Sequence, residues 1–213
     1  MKKSIVLLLV TVLVLSLAGC KKDTKLDTTT NNIYVRKDNT VTGIYVDSFE
    51  KETYRLDELK KEAQNEVAAY NKEKSGVEKY ENEGKTEKLP ISIRSIEAKN
   101  EKATVMLDFA SGDDYFDYNN FRDYLTDKGG TTFYTSQISD SNIKLEGNFV
   151  TATGEKTSVD TINEKSNYSI IYLDFGSKVQ VNGEIAYVSD NVTVKSVNTA
   201  ETRDNMKSFI IYK

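Results

Sequence analysis

The order of apolar and polar positions after residue 32 predicts strands interrupted by two main helices. Segments 33–36 and 41–49 have the composition of strands, with alternation visible at 44–49, and turn residues 37–40 lie between them, which is typical of paired strands. A helix is predicted next, with Asp57 as its N-cap and Gly76 just beyond its end. Its apolar side chains recur at steps of three and four, at Leu56, Leu59, Ala63, Val67 and Tyr70. This stripe is expected to pack on a sheet.

Two hairpins are predicted from strand patterns that flank short turns. Segments 91–99 and 103–109 both alternate, and Asn100-Glu101 supplies a turn between them. Asn182-Gly183 is a strong two-residue hairpin signal between two later strands.

A second main helix is predicted after the first hairpin. Ser111 and Asp114 resemble a capping box that opens this helix, and Gly129-Gly130 is expected to stop it after Leu125. A short helix is also predicted at 158–164. Further strands are predicted at 131–138, 148–153, 168–175, 179–181, 184–189, 192–197 and 208–212. Because strands and helices do not alternate regularly, the order predicts an α+β domain over 33–213, with mainly antiparallel sheet and two main helices packed on it.

Composition excludes several classes of chemistry. The 213 residues include no histidine, no tryptophan and one cysteine, with a net charge of −4. Without histidine there is no Ser-His-Asp or Cys-His catalysis and no His-ligated zinc. One cysteine allows no intrachain disulfide. The mild acidity argues against a nucleic-acid partner. No cofactor is predicted.

The N-terminal twenty residues have the layout of an export signal. Lys2 and Lys3 precede an uncharged, mostly aliphatic run from Ile5 to Leu17. This run is shorter than the ~20 residues that span a bilayer, and it fits a secretory signal. The four residues Leu17-Ala18-Gly19-Cys20 resemble the lipobox of bacterial lipoproteins.

The lipobox resemblance implies a covalent anchor. In that class the Cys20 thiol receives a diacylglycerol, and a peptidase cleaves between Gly19 and Cys20. Residues 1–19 are then the signal peptide, and 20–32 hold the lipidated cysteine and a flexible tether. The implied location is the extracytoplasmic face of the cell membrane, with the membrane as partner through the lipid. The alternative is an ordinary secretory signal with an incidental cysteine.

The mature chain also resembles small lipoproteins of Gram-positive anaerobes that have no assigned activity. The resemblance involves Leu56-Asp57-Glu58-Leu59, 95–99, 187–192 and 210–213. It implies location and no mechanism. The predicted function is a non-catalytic binding or structural domain that meets a cell-wall component or an envelope protein. The alternative is a small glycosidase-like hydrolase that uses two carboxylates. A sporulation or germination lipoprotein ranks below the first reading.

Acidic and aromatic residues in the second helix leave two further alternatives. Asp113, Asp114 and Asp117 cluster at its start, with Asp123 and Asp127 further on. The helix dipole explains the first two as capping groups, and a calcium site is the alternative. The aromatic residues are expected in the core rather than facing a sugar; they are Tyr115, Phe116, Tyr118, Phe121 and Tyr124.

Short matches to catalytic motifs are expected by chance in a chain rich in serine, lysine and aspartate. Ser48 to Lys51 and Ser141 to Lys144 match S-x-x-K, and 189–191 match S-D-N, but no K-T-G follows. Asp174-Phe175-Gly176 matches the kinase D-F-G, whose partner loop needs histidine. We expect a strand end and a glycine turn at this position.

Overall fold

The computed structural model describes residues 25–51, 53–84, 88–121 and 132–213. Within these ranges thirteen strands form two sheets, accompanied by three α-helices. The strands are β1 (Asn32–Val35), β2 (Val41–Ser48), β3 (Ile91–Lys99), β4 (Lys102–Phe109), β5 (Phe133–Gln137), β6 (Phe149–Thr151), β7 (Lys156–Thr157), β8 (Ser169–Leu173), β9 (Lys178–Val181), β10 (Ile185–Ser189), β11 (Thr193–Ser196), β12 (Thr199–Glu201) and β13 (Ser208–Tyr212). The helices are α1 (Leu56–Ser75), α2 (Gly112–Phe121) and α3 (Val159–Asn163), and a 3₁₀ turn spans Ile138–Asp140.

The two sheets are mainly antiparallel. The seven-stranded sheet has the order β11-β12-β9-β1-β2-β4-β3, and the six-stranded sheet has the order β5-β8-β13-β10-β6-β7. Among these described strands, the parallel pair is β1 with β9, where Ile33 faces Val179. The predicted antiparallel-rich fold is therefore confirmed, although the strands form two sheets rather than the one expected.

The main hydrophobic core is shared by both sheets and by α1 and α2. In the seven-stranded sheet, alternate residues such as Val179 and Val181 of β9 point into this core. The opposite face, here called the outer face, carries polar side chains between them, such as Gln180. The six-stranded sheet buries both of its faces, because Ile162 of α3 and Leu145 cover a second, smaller core.

The predicted helices and the first hairpin are present, although the predicted end of the second helix at Gly129-Gly130 lies outside the described residues. Strands β3 and β4 pair in antiparallel fashion, and both turn residues have positive φ, 51° at Asn100 and 60° at Glu101. That geometry fits the right-handed twist of a tight hairpin. Helix α1 ends at Gly76, which adopts the left-handed conformation with φ 75° and donates its N–H to the carbonyl of Lys72 at 2.9 Å. Here glycine avoids the steric cost that a Cβ would bring.

Two local predictions are wrong. Asp57 is not the N-cap of α1, because the helix begins one residue earlier and Arg55 holds the cap position without a side-chain cap bond. The Asn182-Gly183 hairpin does not form either, because β9 and β10 belong to different sheets. This dipeptide instead carries the chain from one sheet to the other.

The crossing at residues 182 and 183 is fixed by backbone contacts to distant segments. The N–H of Asn182 donates to the carbonyl of Val35 at 2.8 Å. A Cβ built on Gly183 would lie 2.2 Å from the carbonyl oxygen of Lys213. Glycine is therefore required here for close approach of two backbones, and not for a turn with positive φ.

Candidate functional site

The predicted lipid attachment site lies just ahead of the described chain. Gly19 and Cys20, like the whole predicted signal peptide at 1–19, fall outside the described residues. Among the residues that are described, no helix combines the length and the apolar character needed to cross a membrane.

The segment from Lys25 to Asn31, predicted as flexible tether, is bonded to the outer face of the seven-stranded sheet. The N–H of Asp27 donates to Oε1 of Gln180 at 3.1 Å, and Nε2 of Gln180 donates to the carbonyl of Lys25 at 2.9 Å. Further along, Oδ1 of Asn31 accepts from the N–H of Val46 at 2.6 Å. From residue 25 onward the chain is therefore not the free tether that was predicted. Hydrogen bonds from its polar groups attach it to the sheet.

An ion pair reinforces this contact. The ammonium of Lys178 binds the carboxylate of Asp27, whose Oδ1 also accepts from the N–H of Thr29 at 2.9 Å and from its hydroxyl at 2.6 Å. The bond from Lys178, followed by the two from Thr29, lowers the pKa of Asp27 to about 2. The carboxylate is therefore ionised, and able to pair with Lys178, throughout the neutral pH range.

A charged network occupies the same outer face further along the sheet. Oδ1 of Asp108 accepts from the hydroxyl of Thr42 at 2.5 Å and lies 3.1 Å from a guanidinium nitrogen of Arg36. Arg94 approaches the same oxygen at 3.4 Å. A cavity of about 280 Å³ opens beside this network, with a lining that includes Arg36, Asn82, Ser92 and Asp108. Apolar side chains line the same cavity, Leu89 and Phe109 among them, so its walls are of mixed polarity.

A groove of about 290 Å³ lies between the end of β2 and the first half of α1. The rings of Phe49 and Tyr54 contact each other in it at a tilt of 37°, with centroids 5.3 Å apart, and Tyr54 is 40% exposed. The ammonium of Lys51 lies 5.4 Å from the centre of the Tyr54 ring, so this ring already receives a cation. The lining also holds three carboxylates and one guanidinium, from Asp47, Glu58, Glu62 and Arg55.

The groove was not predicted from the sequence. The sequence pattern places Phe49 in a strand, and it places Leu59 in the apolar stripe that is expected to pack on a sheet. In the structure the sheet-facing contact of α1 lies in its second half, where Val67 and Tyr70 are buried, while Leu56 and Leu59 stay half-buried. The mixture of aromatic and acidic residues around Tyr54 is the one feature of the sequence that could have indicated this groove.

The acidic cluster at the start of α2 is held by local partners. The hydroxyl of Ser111 accepts from the N–H of Asp114 at 3.0 Å and donates to its carboxylate at 2.6 Å, as a helix cap does. Asp117 pairs with Lys74 at 2.6 Å. The described residues contain no group of three or more metal-binding side chains, and Asp123 and Asp127 lie outside them.

A hydrolase of the predicted type needs two carboxylates at one site. Asp38 and Asp113 both line one cavity of about 170 Å³. Burial opposes ionisation of Asp38, but the bonds from the side chain and the N–H of Thr40 outweigh it and lower its pKa. Beside this cavity, burial raises the pKa of Asp114, against the bond from Ser111. A raised pKa is what a general acid requires, although Asp114 already serves as part of the cap.

The remaining motif matches lie in structural positions. Ser48 is the last residue of β2 and does not begin a helix. The hydroxyl of Ser189 accepts from the buried N–H of Phe209 at 2.6 Å. Asp174 follows the end of β8 and accepts from the N–H of Thr132 at 2.9 Å, so the expected strand end is confirmed.

Tyr115 and Tyr118 of α2 lie in the core, as the spacing indicated, and the partly buried Phe116 packs against it. Tyr115 is 2% exposed and Tyr118 is 1% exposed. Both pack edge-on or tilted against Phe109, with ring centroids 5.1 Å and 5.7 Å away. These two rings are therefore unavailable to a sugar, and Tyr124 lies outside the described residues.

Comparison with protein-family models, with curated proteins and with solved structures gave no match to this chain.

Proposed function

We propose that the protein is a lipid-anchored lipoprotein on the extracytoplasmic face of the cell membrane, with a non-catalytic domain that binds an envelope partner or has a structural role. The lipobox-like residues Leu17 to Cys20 motivate the anchor. The observation that carries the proposal is the position at which the domain begins. Among the described residues, Lys25 is the first that is bonded to the sheet, and β1 starts at Asn32. Cleavage between Gly19 and Cys20 therefore leaves every described strand and helix on the mature side.

The anchor is tested by changing Cys20→Ala in the full-length precursor, expressed in a bacterium that processes lipoproteins. The variant is expected to lose incorporation of a labelled fatty acid and to accumulate uncut or to leave the membrane. Ser16→Ala, a change next to the lipobox, is the matched control and should be labelled like the wild type. Labelling that persists in Cys20→Ala contradicts the anchor. A wild type that is exported but unlabelled indicates an ordinary secretory signal.

The groove beside α1 is the proposed surface for the envelope partner. Its acidic rim suits a positively charged group on a wall polymer or protein, and its exposed Tyr54 ring offers an apolar contact beside that rim. Tyr54→Ala is expected to weaken binding of the purified mature protein to isolated cell walls. Met206→Ala is the control, because Met206 is also 40% exposed but lies outside the groove lining. Equal binding by both variants would remove the groove from the proposal.

A wall-glycan hydrolase is the second candidate, and the raised pKa of Asp114 is the observation that favours it. A hydrolase of this type needs a protonated carboxyl next to a second, ionised one. Release of reducing sugar from purified wall glycan should then be lost in Asp114→Asn. Asp160→Asn, which removes an exposed carboxylate from the first turn of α3, controls for charge. Absence of release by the wild type would count against this candidate.

A further inference from the structure

We infer that the outer face of the seven-stranded sheet lies against the phospholipid headgroups of the membrane that holds the anchor. This inference rests on the proposed function, since it needs a lipid on Cys20. It adds what the anchor alone does not specify, which is the side of the domain that faces the bilayer.

The first step is the short reach of the connection. Only residues 21–24 separate Cys20 from Lys25, whose carbonyl is already bonded to Gln180. Whatever their conformation, five residue steps of about 3.3–3.6 Å reach at most roughly 18 Å. A domain of this length has a radius of gyration of about 16 Å and hence a diameter of about 40 Å. The anchor therefore cannot reach around the domain, and the side that holds Lys25 must face the membrane.

The second step is to identify that side. Lys25 and Asp27 are bonded to Gln180 and Lys178. Both of these residues alternate along β9 with Val179, which is buried in the main core. Their side chains thus belong to the outer face, and the connection to the anchor leaves the domain there. The bonds of Asp27 keep the connection short, because release of residues 25–31 would add about 25 Å of reach.

The third step concerns charge. Removal of residues 1–19 takes away Lys2 and Lys3, so the mature chain has 27 basic and 33 acidic side chains. The outer face departs from this acidic average. Its described cations outnumber its anions by seven to four. The cations are Lys25, Arg36, Arg94, Lys99, Lys102, Lys178 and Lys195, and the anions are Asp27, Glu97, Asp108 and Glu201. Bacterial membranes rich in anionic lipid attract such a face more than the remaining surface.

The test uses the lipidated full-length protein reconstituted into phosphatidylglycerol–phosphatidylcholine vesicles. Acylation occupies the thiol of Cys20, so a second cysteine is the one thiol available to a fluorescent label. Glu97→Cys places the label on the outer face, because Glu97 pairs with Thr104, which pairs in turn with Val46 of β2. Glu164→Cys is the matched control, an exposed glutamate at the end of α3 beyond the six-stranded sheet.

Quenching by nitroxide-headgroup lipids, which act only at short range, is the readout. The label at residue 97 should be quenched several-fold more strongly than the label at residue 164. Insertion of a twelve-residue glycine-serine spacer after Lys22 should reduce this difference, because the anchor then reaches about 40 Å further. Equal quenching at the two positions, or a difference that the spacer leaves unchanged, would overturn the inference.

Mass spectrometry of the same sample separates the two proposals. A diacylglyceryl Cys20 together with equal quenching means that the orientation is wrong while the anchor stands. An unmodified Cys20 means that the proposed function itself fails, and with it the orientation.

Discussion

Asn71 pairs with Ile91 as a neighbouring strand would. Nδ2 of Asn71 donates to the carbonyl of Ile91 at 2.8 Å, and its Oδ1 accepts from the N–H of Ile91 at 3.0 Å. The same Nδ2 donates to the carbonyl of Lys79 at 2.7 Å, and Asn71 is completely buried. One side chain of α1 thus covers backbone groups at the start of β3, which is the edge strand of its sheet.

Asn71→Ala is expected to destabilise the domain by about 3 kcal/mol, because it leaves backbone groups buried without partners. For a domain of this size, that loss lowers the melting temperature by roughly 10 °C. Asn65→Ala is the matched control, an exposed asparagine in the same helix, and should change stability by only a few tenths of a kcal/mol. Thermal unfolding followed by circular dichroism measures both, and similar losses would contradict the role of Asn71.

Gly183→Ala should destabilise the domain by about 2 kcal/mol, because the new Cβ meets the backbone of Lys213. Asn182→Ala should change stability by less than ~0.5 kcal/mol, since the Asn182 side chain is exposed. A hairpin turn with positive φ at both residues would penalise alanine at position 182 as well. Urea unfolding of the two variants distinguishes these arrangements, and a clear loss in Asn182→Ala would favour the hairpin.

The contact between Asp27 and Lys178 should weaken in acid. The pKa of Asp27 falls from 3.8 to about 2 on folding, so its stabilisation is complete above pH 4 and is lost as the pH falls through about 2. The gain is about 1 kcal/mol, because solvent still reaches both groups. The melting temperatures of the wild type and Asp27→Asn should therefore differ at pH 6 and converge towards pH 2. Glu164→Gln, which removes an exposed carboxylate, should show no such convergence.

Ser111→Ala should cost about 1 kcal/mol, because it removes the hydroxyl that caps α2. It should also raise the pKa of Asp114 further, since the bond from Ser111 is what opposes the effect of burial. Ser111→Thr retains a hydroxyl and should keep most of both effects. Urea unfolding reports the stability, and NMR titration of the Asp114 carboxyl reports the pKa. An unchanged pKa in Ser111→Ala would contradict this account.

The parts of the fold that were predicted correctly depend on neighbours in the chain. Asn100-Glu101 and the capping Ser111 act within a few residues, so the sequence alone contains their partners. The failures concern partners far away. Gln180 binds Lys25 across about 150 residues, and a polar stretch without periodicity gives no sign of such a bond. Asn182-Gly183 has the composition of a tight turn, but its glycine serves a contact with Lys213 that no local pattern reveals.

The candidate sites show the same limit. The outer face becomes recognisable only when β9 and β1 are seen side by side, since Lys178 and Arg36 belong to distant segments. The groove similarly joins β2 to α1 through Phe49 and Tyr54, whose loop has no regular period. The lipid site predicted at Cys20 rests on a linear motif, and it stays a prediction because Cys20 lies outside the described residues.

The parallel pairing of β1 with β9 constrains the order of events during synthesis. Strand β1 lies in the middle of its sheet, with β2 on one side and β9 on the other. β2 follows it immediately, whereas β9 comes about 150 residues later. A chain that emerges N-terminus first must therefore hold one edge of β1 unpaired until most of the domain has appeared, so completion of the sheet is a late and slow step.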